Sequence, residues 1–96
     1  SPEAYKGMLL YLMVGSEMDR SEILGKLVEI QYTRNDMDFH RGTFRVRGDT
    51  VEVYPAYDDY AVRIEMFGDE IENIVKIDPL TGKTLGTLSK IAICPG

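Results

Sequence analysis

The chain has no tryptophan, one cysteine, one histidine and no apolar run long enough to span a bilayer as a helix. The longest apolar segment, Met8–Val14, falls far short of the roughly 20 residues a membrane helix needs. No secretory signal pattern is present, and a lone Cys94 permits no internal disulfide, so a reducing, cytoplasmic setting is expected. The nucleophile and base inventory is equally thin. Cys94 lies in an apolar stretch and reads as a small core residue, while His40, beside Arg41, reads as a surface loop residue. Carboxylates are plentiful, but no pair has a recognisable acid/base or metal-ligand spacing. Glycines are present without the GxxxxGK[ST] pattern of a phosphate loop. No catalytic residue, metal or cofactor is expected, and neither a membrane nor a small-molecule substrate is implied.

What is present is enough for one core. Ninety-six residues, 44% of them apolar, make a single folded domain over residues 1–96. The chain opens on Ser1 without methionine, and the expectation is a domain cut from a longer protein. Its net charge of −5 is unevenly spread. Residues 34–47 carry Arg34, Arg41, Arg45 and Arg47 against Asp36 and Asp38. Residues 48–78 carry nine acids against only Arg63 and Lys76. A nucleic-acid binder usually shows a strongly basic stripe, whereas a bipolar surface suits a protein partner of complementary charge.

Two helices are expected first. Ser1, Pro2 and Glu3 form a helix start, after which Tyr5, Met8, Leu9 and Leu12 recur on one helical face until Gly15. Asp19 and Glu22 form a capping pair for a second helix, with an apolar stripe of Ile23, Leu24, Leu27, Val28 and Ile30. Gly25 weakens that helix, and close packing is the only sequence-level reason for it. Tyr32–Asp36 reads as a helix stop, its Asn and Asp side chains holding a turn.

From Thr43 the apolar period becomes two. Thr43–Arg47, the turn Gly48-Asp49, and Thr50–Tyr54 make a hairpin whose two-residue turn fixes the register. Val46 then faces Val51 and Phe44 faces Val53 on the buried side. Arg47 faces Thr50, Arg45 faces Glu52 and Thr43 faces Tyr54 on the open side. Ala61–Phe67 places Val62, Ile64 and Met66 inward and Arg63 and Glu65 outward. Ile71–Ile77 and Ile91–Cys94 complete the strands. The expected fold class is α+β, an antiparallel, mostly meandering sheet with two N-terminal helices packed on one face.

The open face thus carries Arg45, Arg47, Glu52, Arg63 and Glu65, with Arg34 in the preceding loop. Cross-strand Arg–Glu pairs on a solvated face would each contribute under ~1 kcal/mol and require no partner. Two features favour binding. The cations at these sheet positions are all arginine, whose planar fork suits carboxylate, phosphate and stacking contacts. Tyr54, with Tyr32 and Tyr57, adds aromatics of the kind found at interface hot spots. Arg47-Gly48-Asp49 also spells an integrin-binding tripeptide, but Gly-Asp is ordinary turn chemistry. The partner is either protein or nucleic acid. A nucleic-acid module would use the same arginines with Tyr54 stacking on bases.

The strings Tyr32-Thr33-Arg34-Asn35-Asp36, Asp38-Phe39 and Arg41-Gly42-Thr43-Phe44-Arg45-Val46-Arg47-Gly48-Asp49 closely resemble the second domain of the UvrB family, subunits of bacterial nucleotide excision repair. Val51–Ala56, Arg63–Glu72 and Asp78–Gly82 extend the likeness, as does Ser1–Tyr5. His40, Gly25 and Cys94 depart from the family's usual residues. The resemblance implies a non-catalytic domain that docks onto UvrA, the damage-sensing ATPase that loads its partner at lesions. It implies partner-binding roles for Arg34, Arg45, Arg47, Arg63 and Glu65, and contact with DNA only through the full-length protein. The family's nucleotide site and helicase motifs lie in other domains, and none is found in this sequence.

Overall fold

The computed structural model of the chain describes residues 9–96. Within them one helix, α1 (Arg20–Glu29), follows the strand β1 (Leu10–Met13). Seven strands come after it: β2 (Thr33–Arg34), β3 (Thr43–Arg47), β4 (Thr50–Tyr54), β5 (Ala61–Phe67), β6 (Glu70–Ile77), β7 (Thr84–Leu88) and β8 (Lys90–Ile93). Strands β2 to β7 form a six-stranded sheet in sequence order, parallel only between β2 and β3. β1 and β8 pair antiparallel as a separate ribbon.

The expectation of two N-terminal helices is therefore corrected. The Ser1–Met8 portion of the first one lies outside the described residues. Its remainder is not helical: Leu10 and Leu12 are buried and Tyr11 and Met13 exposed, the alternation of a strand. An unbroken apolar run such as Met8–Val14 has no period of its own, so pairing with β8 decides its conformation. Two further strands carry no clear sequence signal. β2 coincides with the expected helix stop, and β7 has no clean alternation because most of Thr84–Leu88 is exposed.

α1 begins where expected. The Asp19 carboxylate accepts the Glu22 amide at 2.7 Å, satisfying one of the free N–H groups of the first turn. Its buried face is narrower than the expected stripe: Ile23 and Leu27 are buried within it, and Val28 is exposed. Gly25 faces open space, so close packing is not its reason. The helix ends on Ile30, and Gln31 adopts a left-handed φ of 73° while the Tyr32 amide reaches back to the Leu27 carbonyl.

The β3–β4 register is the expected one at all five pairs, from Thr43 opposite Tyr54 to Arg47 opposite Thr50. Gly48, at the first turn position, has φ of 60°, which an L side chain adopts only with strain. Phe44, Val51, Val53, Val62, Ile64, Met66 and Ile74 line one face of the sheet. They meet Ile23 and Leu27 of α1 and Leu10, Leu12 and Ile93 of the ribbon in the main core. Helix and ribbon thus cover one face, and the other carries charged and polar residues beside a small apolar cluster of Ala61, Val75 and Ile77.

Candidate functional site

Register places the outward side chains in rows across the sheet. One row runs Arg45, Glu52, Arg63 and Val75 over β3 to β6, and the next runs Arg47, Thr50, Glu65 and Asn73. In the first row a single carboxylate serves two guanidinium groups. Arg45 Nε donates to Glu52 Oε1, and Arg63 Nε donates to Glu52 Oε2 at 3.1 Å. Arg63 Nη2 also reaches the Gly82 carbonyl at 3.4 Å. The Glu52 side chain is only 4% exposed, against 17% for Arg45 and 26% for Arg63.

Glu52 is expected on an open face, and it is instead buried by its neighbours. The reason is geometric: an acid on the middle strand, flanked directly by arginines on both sides, lies beneath two long side chains that converge on it. The signal is available in the sequence once Arg63 is taken as the second neighbour of Glu52. A second cover has no place in the sequence-based expectation. Phe39, from the loop before β3, packs with Tyr54 on a small apolar cluster of Ala61, Val75 and Ile77. The Phe39 and Tyr54 ring centroids lie 5.7 Å apart. The Arg45 guanidinium carbon sits 4.2 Å above the Phe39 ring, and that of Arg41 sits 5.4 Å from Tyr54. An isolated aromatic between Asp38 and His40 is the available sequence clue.

The five expected partner-binding residues do not all fall together. Arg45, Arg47, Arg63 and Glu65 share the two rows. Arg47 is exposed and makes no ion pair among the described residues, while Glu65 accepts a hydrogen bond from Asn73 Nδ2 at 3.0 Å. Arg34 is in register with Phe44 at the sheet edge, outside those rows, and pairs with Asp36 at 3.1 Å. That hydrogen bond, then the one from the Val46 amide, holds the Asp36 carboxyl below its ordinary value of 3.8. Asn35 Oδ1 accepts the Met37 and Asp38 amides, so the expected turn chemistry operates.

Of the aromatics, Tyr57 is exposed and Tyr54 half-buried, but Tyr32 belongs to the core. Its hydroxyl donates to the Cys94 carbonyl at 2.9 Å and accepts the Ala56 amide at 2.9 Å. Burial pushes the phenol above 10.0. Cys94 itself is exposed, a correction to its expected place in the core. Ile93 takes the inward position at the end of β8, and alternation turns its neighbour outward. His40 is a surface residue, its Nδ1 lying 3.3 Å from Asp38 Oδ2.

Fold and site together define a small sheet-based domain that covers one face with a helix and a ribbon and presents an arginine–carboxylate array on the other. Residues 10–96 match the family model of the UvrB interaction domain, and the chain belongs to that family. It is 62% identical over 96 residues to UvrABC system protein B of Syntrophotalea carbinolica. It is 60% identical to that of Natranaerobius thermophilus and 56% identical to that of Bacillus subtilis. Each comparison covers 99% of this chain. The chain spans only about one seventh of each relative's length, 14–15%. Among the described residues no helix is long and apolar enough to cross a membrane.

Proposed function

We propose that this domain is a non-catalytic docking module that binds UvrA through Arg45, Arg47, Arg63 and Glu65, with Arg34 at the margin, so that the protein carrying it is loaded at damaged DNA. Membership of the UvrB interaction domain family supports the partner class. The observation that carries the choice of face is the shared use of Glu52. Both Arg45 and Arg63 direct their Nε–H groups inward to one buried carboxylate, which orients the guanidinium planes and leaves Arg45's two Nη groups without a partner among the described residues. Charged forks held in this way suit carboxylates on an opposing surface and fix the orientation of docking.

Nucleic acid is the less favoured partner. Glu52 and Glu65 lie within the same rows, and the chain's overall charge is −5, so phosphates meet repulsion there. The test is titration of the protein against purified UvrA with and without Arg47→Glu. Arg47 is exposed, so its reversal leaves the Glu52 pairings intact, and circular dichroism is expected to stay unchanged. Affinity for UvrA is expected to fall by roughly ten- to a hundredfold. Unaltered affinity would remove this face from the docking surface. Tight binding of duplex DNA by the domain, with a steep loss on added salt, would favour the nucleic-acid reading instead.

A further inference from the structure

The loop between β2 and β3 is pinned on both sides of Phe39. Upstream, Asn35 closes its turn on the Met37 and Asp38 amides. Downstream, Arg41 Nε donates to the Asp58 carbonyl at 2.9 Å, and its Nη2 pairs with Asp59 at 2.7 Å. The Thr43 hydroxyl donates to the His40 carbonyl and accepts the His40 amide, which closes the loop onto the start of β3. A loop tied this tightly delivers the Phe39 side chain onto the apolar part of the arginine-bearing face. That side chain covers the cluster of Ala61, Val75 and Ile77 and provides the ring beneath Arg45.

We infer that Phe39 is a positioning residue for docking, which with Glu52 fixes the Arg45 guanidinium before the partner arrives so that its two Nη groups meet a partner carboxylate end-on. The inference rests on the docking reading given above and adds a residue that the arginine pattern does not contain. Two contacts with separate tasks define the position: Glu52 takes the Nε edge, and the ring supports the flat side. An arginine on a bare surface samples many rotamers and loses them on binding. One already immobilised loses few, a difference worth roughly two- to tenfold in affinity. The ring's attraction for the cation acts in the same direction. The ligand that fits the remaining edge is planar, anionic and able to accept two parallel N–H bonds, which is a carboxylate side chain of the partner.

A double-mutant cycle tests this with the protein at full length and purified UvrA. Phe39→Leu keeps an apolar cover over Ala61, Val75 and Ile77 but removes the aromatic face. It is expected to weaken binding two- to tenfold, with little change in melting, and Phe39→Tyr is expected to restore it. In an Arg45→Gln background, where no cation remains for the ring to support, Phe39→Leu is expected to cost nothing further. A partner-free readout accompanies the cycle: the Arg45 Nε–Hε resonance is displaced by the ring current in the parent and returns towards its ordinary position in Phe39→Leu. Undiminished binding by Phe39→Leu, or an equal loss with and without Arg45, would overturn the positioning role while leaving docking in place. Full binding by both Arg45→Gln and Arg47→Glu is a different pattern, and it would overturn docking and positioning together.

Discussion

Glu52 is the residue on which the candidate face depends. It is nearly inaccessible, and it is the only described carboxylate that pairs with two arginines. Removing the acid strands two partly buried guanidinium groups without an anion, which is costly in a way that surface ion pairs are not. Glu52→Ala is expected to lower stability by about 3–5 kcal/mol in urea unfolding, with binding impaired as a consequence. Tyr32→Phe leaves the Ala56 amide and the Cys94 carbonyl unpaired, and about 1–3 kcal/mol of destabilisation is expected. Because the phenol's pKa is raised by burial, the unfolded chain ionises first. Stability should fall as pH rises past 10.0, and Tyr32→Phe should lessen that fall. Two aspartates give the opposite sign. Asp36 is depressed chiefly by Arg34 and Asp78 by the Thr81 and Leu80 amides. Their contribution is complete above the ordinary value of 3.8 and is lost as pH falls through the lower folded-state values. Melting followed down the acid limb should flatten in an Asp36→Asn, Asp78→Asn variant.

Among the elements, legibility follows the strength of the local rule. The β3–β4 hairpin is readable to the residue because a two-residue turn with Gly48 allows one register, and alternation then assigns faces. The inward set Val62, Ile64 and Met66 follows in the same way. β1 is not readable, since Met8–Val14 is apolar throughout and its partner β8 is more than 70 residues away in sequence. The face is legible as arginines but not as a buried triad, because burial of Glu52 depends on pairing of β4 with both β3 and β5, and only the first of these is set by a two-residue turn. α1 offers an element-scale test. Gly25 has open space around it and Gln31 carries a left-handed φ, so each position holds a residue better suited to the other. Gly25→Ala is expected to stabilise by up to about 1 kcal/mol. Gln31→Gly should add about 1 kcal/mol by relieving the strained cap. Both are measured as shifts in the denaturation midpoint at unchanged m-value.

At the scale of the whole molecule, the division of labour between the two faces explains how a small acidic domain can present arginines. The helix and ribbon bury the main core on one side, so the other side need not contribute a large apolar area to folding. That freedom is used for one row in which Glu52 lies between Arg45 and Arg63 and a second that carries Arg47 and Glu65, a mixed pattern more selective for a protein surface than for a uniformly negative polymer. Ionic strength should therefore weaken the docking moderately, without the steep dependence of counterion release from DNA. The most direct test compares two charge reversals of the same kind in titrations against purified UvrA. Arg47→Glu lies within the rows, whereas Lys90→Glu lies on the exposed side of the ribbon strand β8. The expected result is at least a roughly tenfold loss for Arg47→Glu beside near-parental affinity for Lys90→Glu. Equal losses, or a larger loss for Lys90→Glu, would contradict the assignment of docking to the arginine–carboxylate face.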